Sequence, residues 1–155
     1  SAPTEDPSDD EFRRVCCPIL DSPAYWRHNL RILPGLVRAC LETIAAAPPG
    51  ILIHCSAGRD RTGMITALLL ANAGVTAEVV ADDYAESVRA MAGAASNAPT
   101  VDRQAEWSEA EVSSWLTEVR PLVVGFVTPL DQQFDQIGLD RAIRDRLRDL
   151  LLAPA

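Results

Sequence analysis

Leu30, Leu33, Val37, Cys40, Leu41 and Ile44 recur at steps of three and four residues, a spacing that predicts an amphipathic helix ending at Pro48-Pro49-Gly50, with a kink or restart at Pro34. The run that follows, Ile51 to Ile53, is apolar on both faces and predicts a short buried strand. Residues 62–74, TGMITALLLANAG, are apolar nearly all round, which predicts a helix packed on several sides and closed at Gly74. The order strand, loop, helix over residues 51–74 is the central expectation. Ahead of it, VCCPIL at 15–20 reads as a strand or extended segment running into the turn Asp21-Ser22-Pro23, with Ser22-Pro23 also suited to cap a helix.

After Gly74 the signals are mainly helical. Thr76 opens a segment carrying Val79, Val80, Tyr84, Val88 and Met91, and AGAASNAPT at 92–100 reads as a loop. Ser108 and Glu111 form a capping-box pattern before a helix with Val112, Trp115, Leu116 and Val119, which Pro121 is expected to stop. Two further helix starts fall at Thr128-Pro129 and near Asp140, the second followed by the stripe Ile143, Leu147, Leu150, Leu151. Residues 1–11 carry two prolines and five acids and read as a disordered segment, with order beginning near Phe12. One domain over 12–155 is the expectation for 155 residues.

Composition narrows the function classes. No apolar run reaches the roughly 20 residues of a membrane-spanning helix, and no leader-like start is visible. A net charge of −8 argues against a general nucleic-acid surface, so an anionic ligand requires a local positive pocket. All 14 basic residues are arginine, a bias that carries no mechanism. Cys16, Cys17, Cys40 and Cys55 show no paired C-x-x-C spacing, so neither a metal site nor a cofactor is expected, and free thiols in a reducing, cytoplasmic compartment are. Export by a route that needs no leader stays open, as does the oligomeric state.

The chemistry concentrates in HCSAGRDRTG at 54–63. With four cysteines and 14 arginines in 155 residues, a bare Cys-x5-Arg is expected about 0.36 times by chance. Requiring His before the cysteine and Gly three after it lowers this to about 0.0002. A short loop between a strand end and a helix start turns successive backbone N–H groups into one concavity at the positive end of the helix dipole, a cradle for phosphate. Ser56, Ala57, Gly58, Arg59, Asp60 and Arg61 are the expected phosphate-binding residues, with Gly58 giving the backbone freedom to turn. The N–H groups and Arg61 favour a Cys55 thiolate, which makes Cys55 the expected nucleophile and Arg61 the bidentate clamp. His54 is expected to orient the loop and Thr62 to bond the departing sulfur. No G-x-x-x-x-G-K-[ST] occurs, which sets a nucleotide-hydrolase loop aside.

HCSAGRDRTG resembles the H-C-x-x-G-K-D-R-T-G loop of the bacterial branch of the protein tyrosine phosphatases, which includes dual-specificity and phosphoinositide-active enzymes; Arg59 stands where lysine is usual. A looser likeness extends to Asp83-Tyr84 and to residues 137–152. The resemblance implies an α/β fold, with a small, mostly parallel central sheet flanked by helices and a phosphatase P-loop between strand and helix. It also implies a phosphocysteine intermediate and a phosphorylated protein or phosphoinositide substrate. Such enzymes carry earlier strands and an Asn/Arg/Asp-Gly-rich opening segment, and none precedes Cys55 in this sequence, so the domain is expected to lack its front strands. The alternative is a phosphate-binding or interaction module without turnover.

Two aspartates compete as the acid that protonates the leaving group. Asp60 lies inside the matched loop, like the loop aspartate of myotubularin-like lipid phosphatases, and is the favoured candidate; the plain reading is a salt bridge. Asp21, 34 residues before Cys55, stands about where many tyrosine phosphatases carry a mobile acid loop; its plain reading is a cap or turn residue. Arg59 is either a solvated arginine or a contact to additional phosphates or acidic peptide. Cys16 and Cys17 read as buried fillers, one of them able to pair with an oxidised Cys55. His28 reads as exposed, and Trp107 with Trp115 as a satellite cluster.

Overall fold

The computed structural model describes residues 7–92, 104 and 106–152. Among them the elements are α1 (Pro7–Val15), α2 (Trp26–Ile32), α3 (Pro34–Ala46), α4 (Asp60–Asn72), α5 (Ala77–Met91), α6 (Glu109–Val127), α7 (Leu130–Ile137) and α8 (Arg141–Leu152), with short 3-10 turns at Cys17–Ile19 and Pro23–Tyr25. No helix among the described residues is long and apolar enough to cross a membrane.

Helix α4 is the hub. Its sequence is apolar nearly all round, and Met64, Ile65, Ala67, Leu68 and Leu69 are all buried. It packs against α5, α6, α7 and α8, as a helix with no polar face must. Trp26 at the start of α2 sits edge-on to Tyr84 of α5 (5.3 Å) and to Phe126 of α6 (5.2 Å), tying three elements into one core. Leu30, Leu41 and Leu68 are fully buried, each contributing about 1.5–3 kcal/mol relative to an exposed side chain. The amide N–H of buried Asn72 donates to the Arg144 carbonyl of α8 (2.7 Å).

The α/β expectation is overturned: the described residues contain no strand and no sheet, and the architecture is helical. The reason is local to the two predicted strands. Residues 51–53 run without a ladder partner, and Leu52 is 83% exposed; a strand's backbone groups need a neighbour that the described residues do not supply. VCCPIL instead finishes α1 and turns through Cys17–Ile19, because Pro18 supplies no ladder N–H and suits the first position of a helical turn.

Other elements follow the sequence closely. Pro34 opens α3 rather than interrupting a single helix. Ser22 accepts a hydrogen bond from the Ala24 N–H (3.2 Å) and caps the second 3-10 turn. Ser108 and Glu111 form the reciprocal capping box of α6. Three expectations need correction. Helix α1 begins at Pro7, ahead of Phe12, while 1–6 and most of the 92–100 loop lie outside the described residues. Pro121 does not stop α6: the stripe Val112, Leu116, Val119, Val123, Phe126 continues into the core, and residues 117 and 121 both lie on the exposed face, where water can serve the carbonyl that loses its partner. Trp107 and Trp115 do pack together (5.7 Å), but Trp115 also meets Tyr84 (6.4 Å), so the pair belongs to the main core.

Candidate active site

The segment 51–55 delivers Cys55, half-buried, to bends at 56–59 and then to the first residue of α4, Asp60. Gly58 sits at φ 69°, the left-handed region that glycine adopts without a Cβ penalty. The first intrahelical bond runs from the Gly63 N–H to the Arg59 carbonyl (2.7 Å), so the N–H groups of Asp60, Arg61 and Thr62 have no acceptor within the helix. Arg59, at the cap position, offers no capping side chain.

Cys55 meets the Thr62 N–H and, from the bend before the helix, that of Gly58. Burial pushes its thiol up, but the Thr62 hydroxyl, the Thr62 and Gly58 N–H groups and the Arg61 guanidinium outweigh that and hold it below the ordinary thiol value. The buried Thr62 hydroxyl makes no full hydrogen bond among the described residues, which leaves it available to the sulfur. The other shifted thiols move the opposite way: burial raises Cys16, helped by Cys17, and burial raises Cys40. Cys17 is exposed, which corrects the expectation that both adjacent cysteines are buried. His54 is exposed, with Nδ1 3.4 Å from the Cys55 carbonyl, and Ser56, Arg61 and His28 are exposed as well.

Asp60 is buried. Its Oδ2 accepts from Nε of Arg59 (3.0 Å) and lies 3.0 Å from Nη2 of the same guanidinium, and its Oδ1 accepts from the Tyr84 hydroxyl (3.1 Å). Burial raises its carboxyl above the ordinary range despite both partners, and the negative charge of Asp21 pushes in the same direction. Asp21, whose carbonyl accepts from Gln104 Nε2 (2.9 Å), therefore belongs to the same neighbourhood as Asp60. Arg59 is 3% exposed, which rules out a solvated arginine. Among the described residues no group of three or more His, Cys, Asp or Glu is placed to hold a metal ion.

Two tyrosines join the site: Tyr25, which no motif announces, and Tyr84, which the sequence offers only through the looser likeness at Asp83-Tyr84. Tyr84 lies on the apolar stripe of α5, where spacing alone reads it as core. Tyr25 is fully buried, its phenol raised first by burial and then by Asp60, and it also feels Arg61 and Cys55. Its position four residues after Asp21, in the same turn, was the available signal.

A loop that collects backbone donors, an arginine and a depressed thiol at a helix start has the chemistry to hold an anion against a nucleophile. The family model described as "Tyrosine phosphatase family" matches residues 21–153, and the chain belongs to that family. Over 84 residues it is 36% identical to the triple specificity protein phosphatase PtpB of Mycobacterium tuberculosis, covering 54% of this chain and 27% of that protein. Over 53 residues it is 45% identical to a tyrosine-protein phosphatase of Nostoc commune, covering 34% of this chain and 18% of the relative. The matches thus span about a quarter and a fifth of the relatives' lengths. No solved structure matches.

Proposed function

We propose that the protein is a cysteine-dependent phosphomonoester hydrolase acting on phosphotyrosine, with phosphoserine, phosphothreonine and phosphoinositides within reach of the same loop. The observation that carries this reading is the Cys55 thiol, held below its ordinary value by Thr62, Gly58 and Arg61. A thiolate at the end of an anion cradle attacks phosphorus in line, while Arg61 and the loop N–H groups hold the equatorial oxygens. The S–P bond forms as the ester P–O bond breaks, and Asp60 gives its proton to the leaving oxygen; burial raises its carboxyl above the ordinary range, the direction an acid requires. Water then attacks the phosphocysteine, Asp60 accepts its proton, and the sulfur leaves as a thiolate bonded by Thr62. The broad substrate range draws support from the word "triple" in the mycobacterial relative's name.

The test is hydrolysis of para-nitrophenyl phosphate by the purified chain, with and without EDTA, beside Cys55→Ser. Turnover that survives EDTA and disappears in the variant is the expected result. Vanadate binding with no turnover by the parent chain would replace the enzyme by a phosphate-binding module of the same family.

A further inference from the structure

Asp60 occupies the first position of α4, where an aspartate ordinarily turns to the helix N-terminus or to water. Its carboxyl is instead held from two directions, by Arg59 on Oδ2 and by Tyr84 from α5 on Oδ1. We propose that Tyr84 is the positioning residue of Asp60, its hydroxyl fixing how the carboxyl faces the loop and Gly63 keeping open the space in which its ring lies. The proposal rests on Asp60 acting as the leaving-group acid.

Three observations carry it. A carboxylate offers about four lone-pair sites. The two Arg59 contacts use those of Oδ2, and Tyr84 uses one on Oδ1, so the remaining site is also on Oδ1. The proton Asp60 transfers therefore sits on the atom that Tyr84 holds. Second, a phenol 2% exposed must find a partner to offset its desolvation, and Asp60 Oδ1 is that partner. Third, the ring reaches Asp60 only because residue 63 is glycine: a Cβ there would stand 2.8 Å from Tyr84 Cδ2 and 3.0 Å from Cε2. Trp26 and Trp115 flank the ring elsewhere and fix its direction.

The charged and titratable groups around this carboxyl are Arg59 beside it, Tyr84 from α5, and Asp21 and Tyr25 from the segment ahead of α2, with Arg61 next in α4. The Tyr84 bond favours the ionised carboxyl, so its loss moves Asp60 to a higher pKa.

Tyr84→Phe keeps the ring and removes only the donor. With phenyl phosphate, a poor leaving group that needs the acid, kcat/KM, which excludes the phosphocysteine hydrolysis common to all substrates, should fall about tenfold, the size of one charge-assisted hydrogen bond. With 2,4-dinitrophenyl phosphate, which departs unaided, the loss should vanish. An equal loss on both substrates, or none on either, overturns the proposal. Asp60→Asn separates the two readings: if it shows no leaving-group dependence, the acid assignment has failed, whatever Tyr84 does. A carboxyl-carbon NMR titration needs no turnover: Asp60 should titrate at higher pH in Tyr84→Phe and in Gly63→Ala than in the parent, and an unmoved titration overturns the contact directly.

Discussion

Replacing Arg59 by methionine keeps an unbranched apolar stem while deleting the guanidinium that faces Asp60, and the consequence should depend steeply on pH. Arg59 is 3% exposed and Asp60 9%, so the variant leaves a carboxyl in a dry site with Tyr84 as its one remaining partner across this contact. Breaking a buried pair by removing one partner costs about 3–5 kcal/mol. Asp60 can limit that cost by taking up a proton, which at pH 7 costs about 4 kcal/mol from an unfolded pKa of about 3.9 and at pH 5 only about 1.5 kcal/mol. The sign follows from linkage: a carboxyl whose folded pKa lies above its unfolded value imposes no penalty below the unfolded pKa, and the penalty grows as pH rises until the folded pKa is passed. Burial already pushes Asp60 in that direction with Arg59 present, and removing the guanidinium pushes it further. Urea unfolding of the parent and Arg59→Met at pH 7 and pH 5 should show a loss of about 3–4 kcal/mol at pH 7 that shrinks to about 1.5 kcal/mol or less at pH 5. Adding Asp60→Asn to the variant should restore most of the difference at pH 7. A loss of equal size at both pH values would refute the buried ion pair as the origin of the effect.

Three further outcomes follow from the same structure. Iodoacetamide should modify Cys55 at a pH where Cys16 and Cys40 remain thiols, and Thr62→Ala should shift the Cys55 reaction to higher pH, as mass spectrometry of the alkylated peptides would show. Gly63→Ala gains about 1 kcal/mol of helix propensity but drives a Cβ to 2.8 Å from a ring held by Trp26, an overpacking of about 1–3 kcal/mol, so a net loss is expected in urea and a net gain would contradict the close approach. Pro121→Ala restores an N–H in the middle of α6 and should raise stability by about 1 kcal/mol or more, read as a higher midpoint in thermal unfolding; a lower midpoint would mean that the ring packs in a way its exposure does not suggest.

Much of this was legible in the chain because it depends on neighbours in sequence. Helices α3, α4 and α5 announce themselves through apolar spacing bounded by Pro34, Gly74 and Thr76, and the capping box of α6 is a contact between residues three apart. The loop at 54–63 is equally local: Cys55 meets the donors of Gly58 and Thr62 because a tight turn into a helix leaves those N–H groups without helical acceptors. What lies outside that reach needed the packed molecule. Residues 51–53 have a strand's composition, but a strand is a relation between two segments, and no described partner lies beside them. Pro121 looked like a stop because propensity counts one lost N–H, while burial of Val123 and Phe126 beyond it outweighs that loss. Cys16 and Cys17 are indistinguishable in composition, and only the turn at Cys17–Ile19 sends one inward and the other to solvent. The Arg59 and Tyr84 contacts to Asp60 belong to the same class: Tyr84 is 24 residues away on another helix, and it reaches the carboxyl through the gap above Gly63. Short-range chemistry is written in adjacent residues, whereas the partners that tune it are chosen by which faces the helices bury against one another.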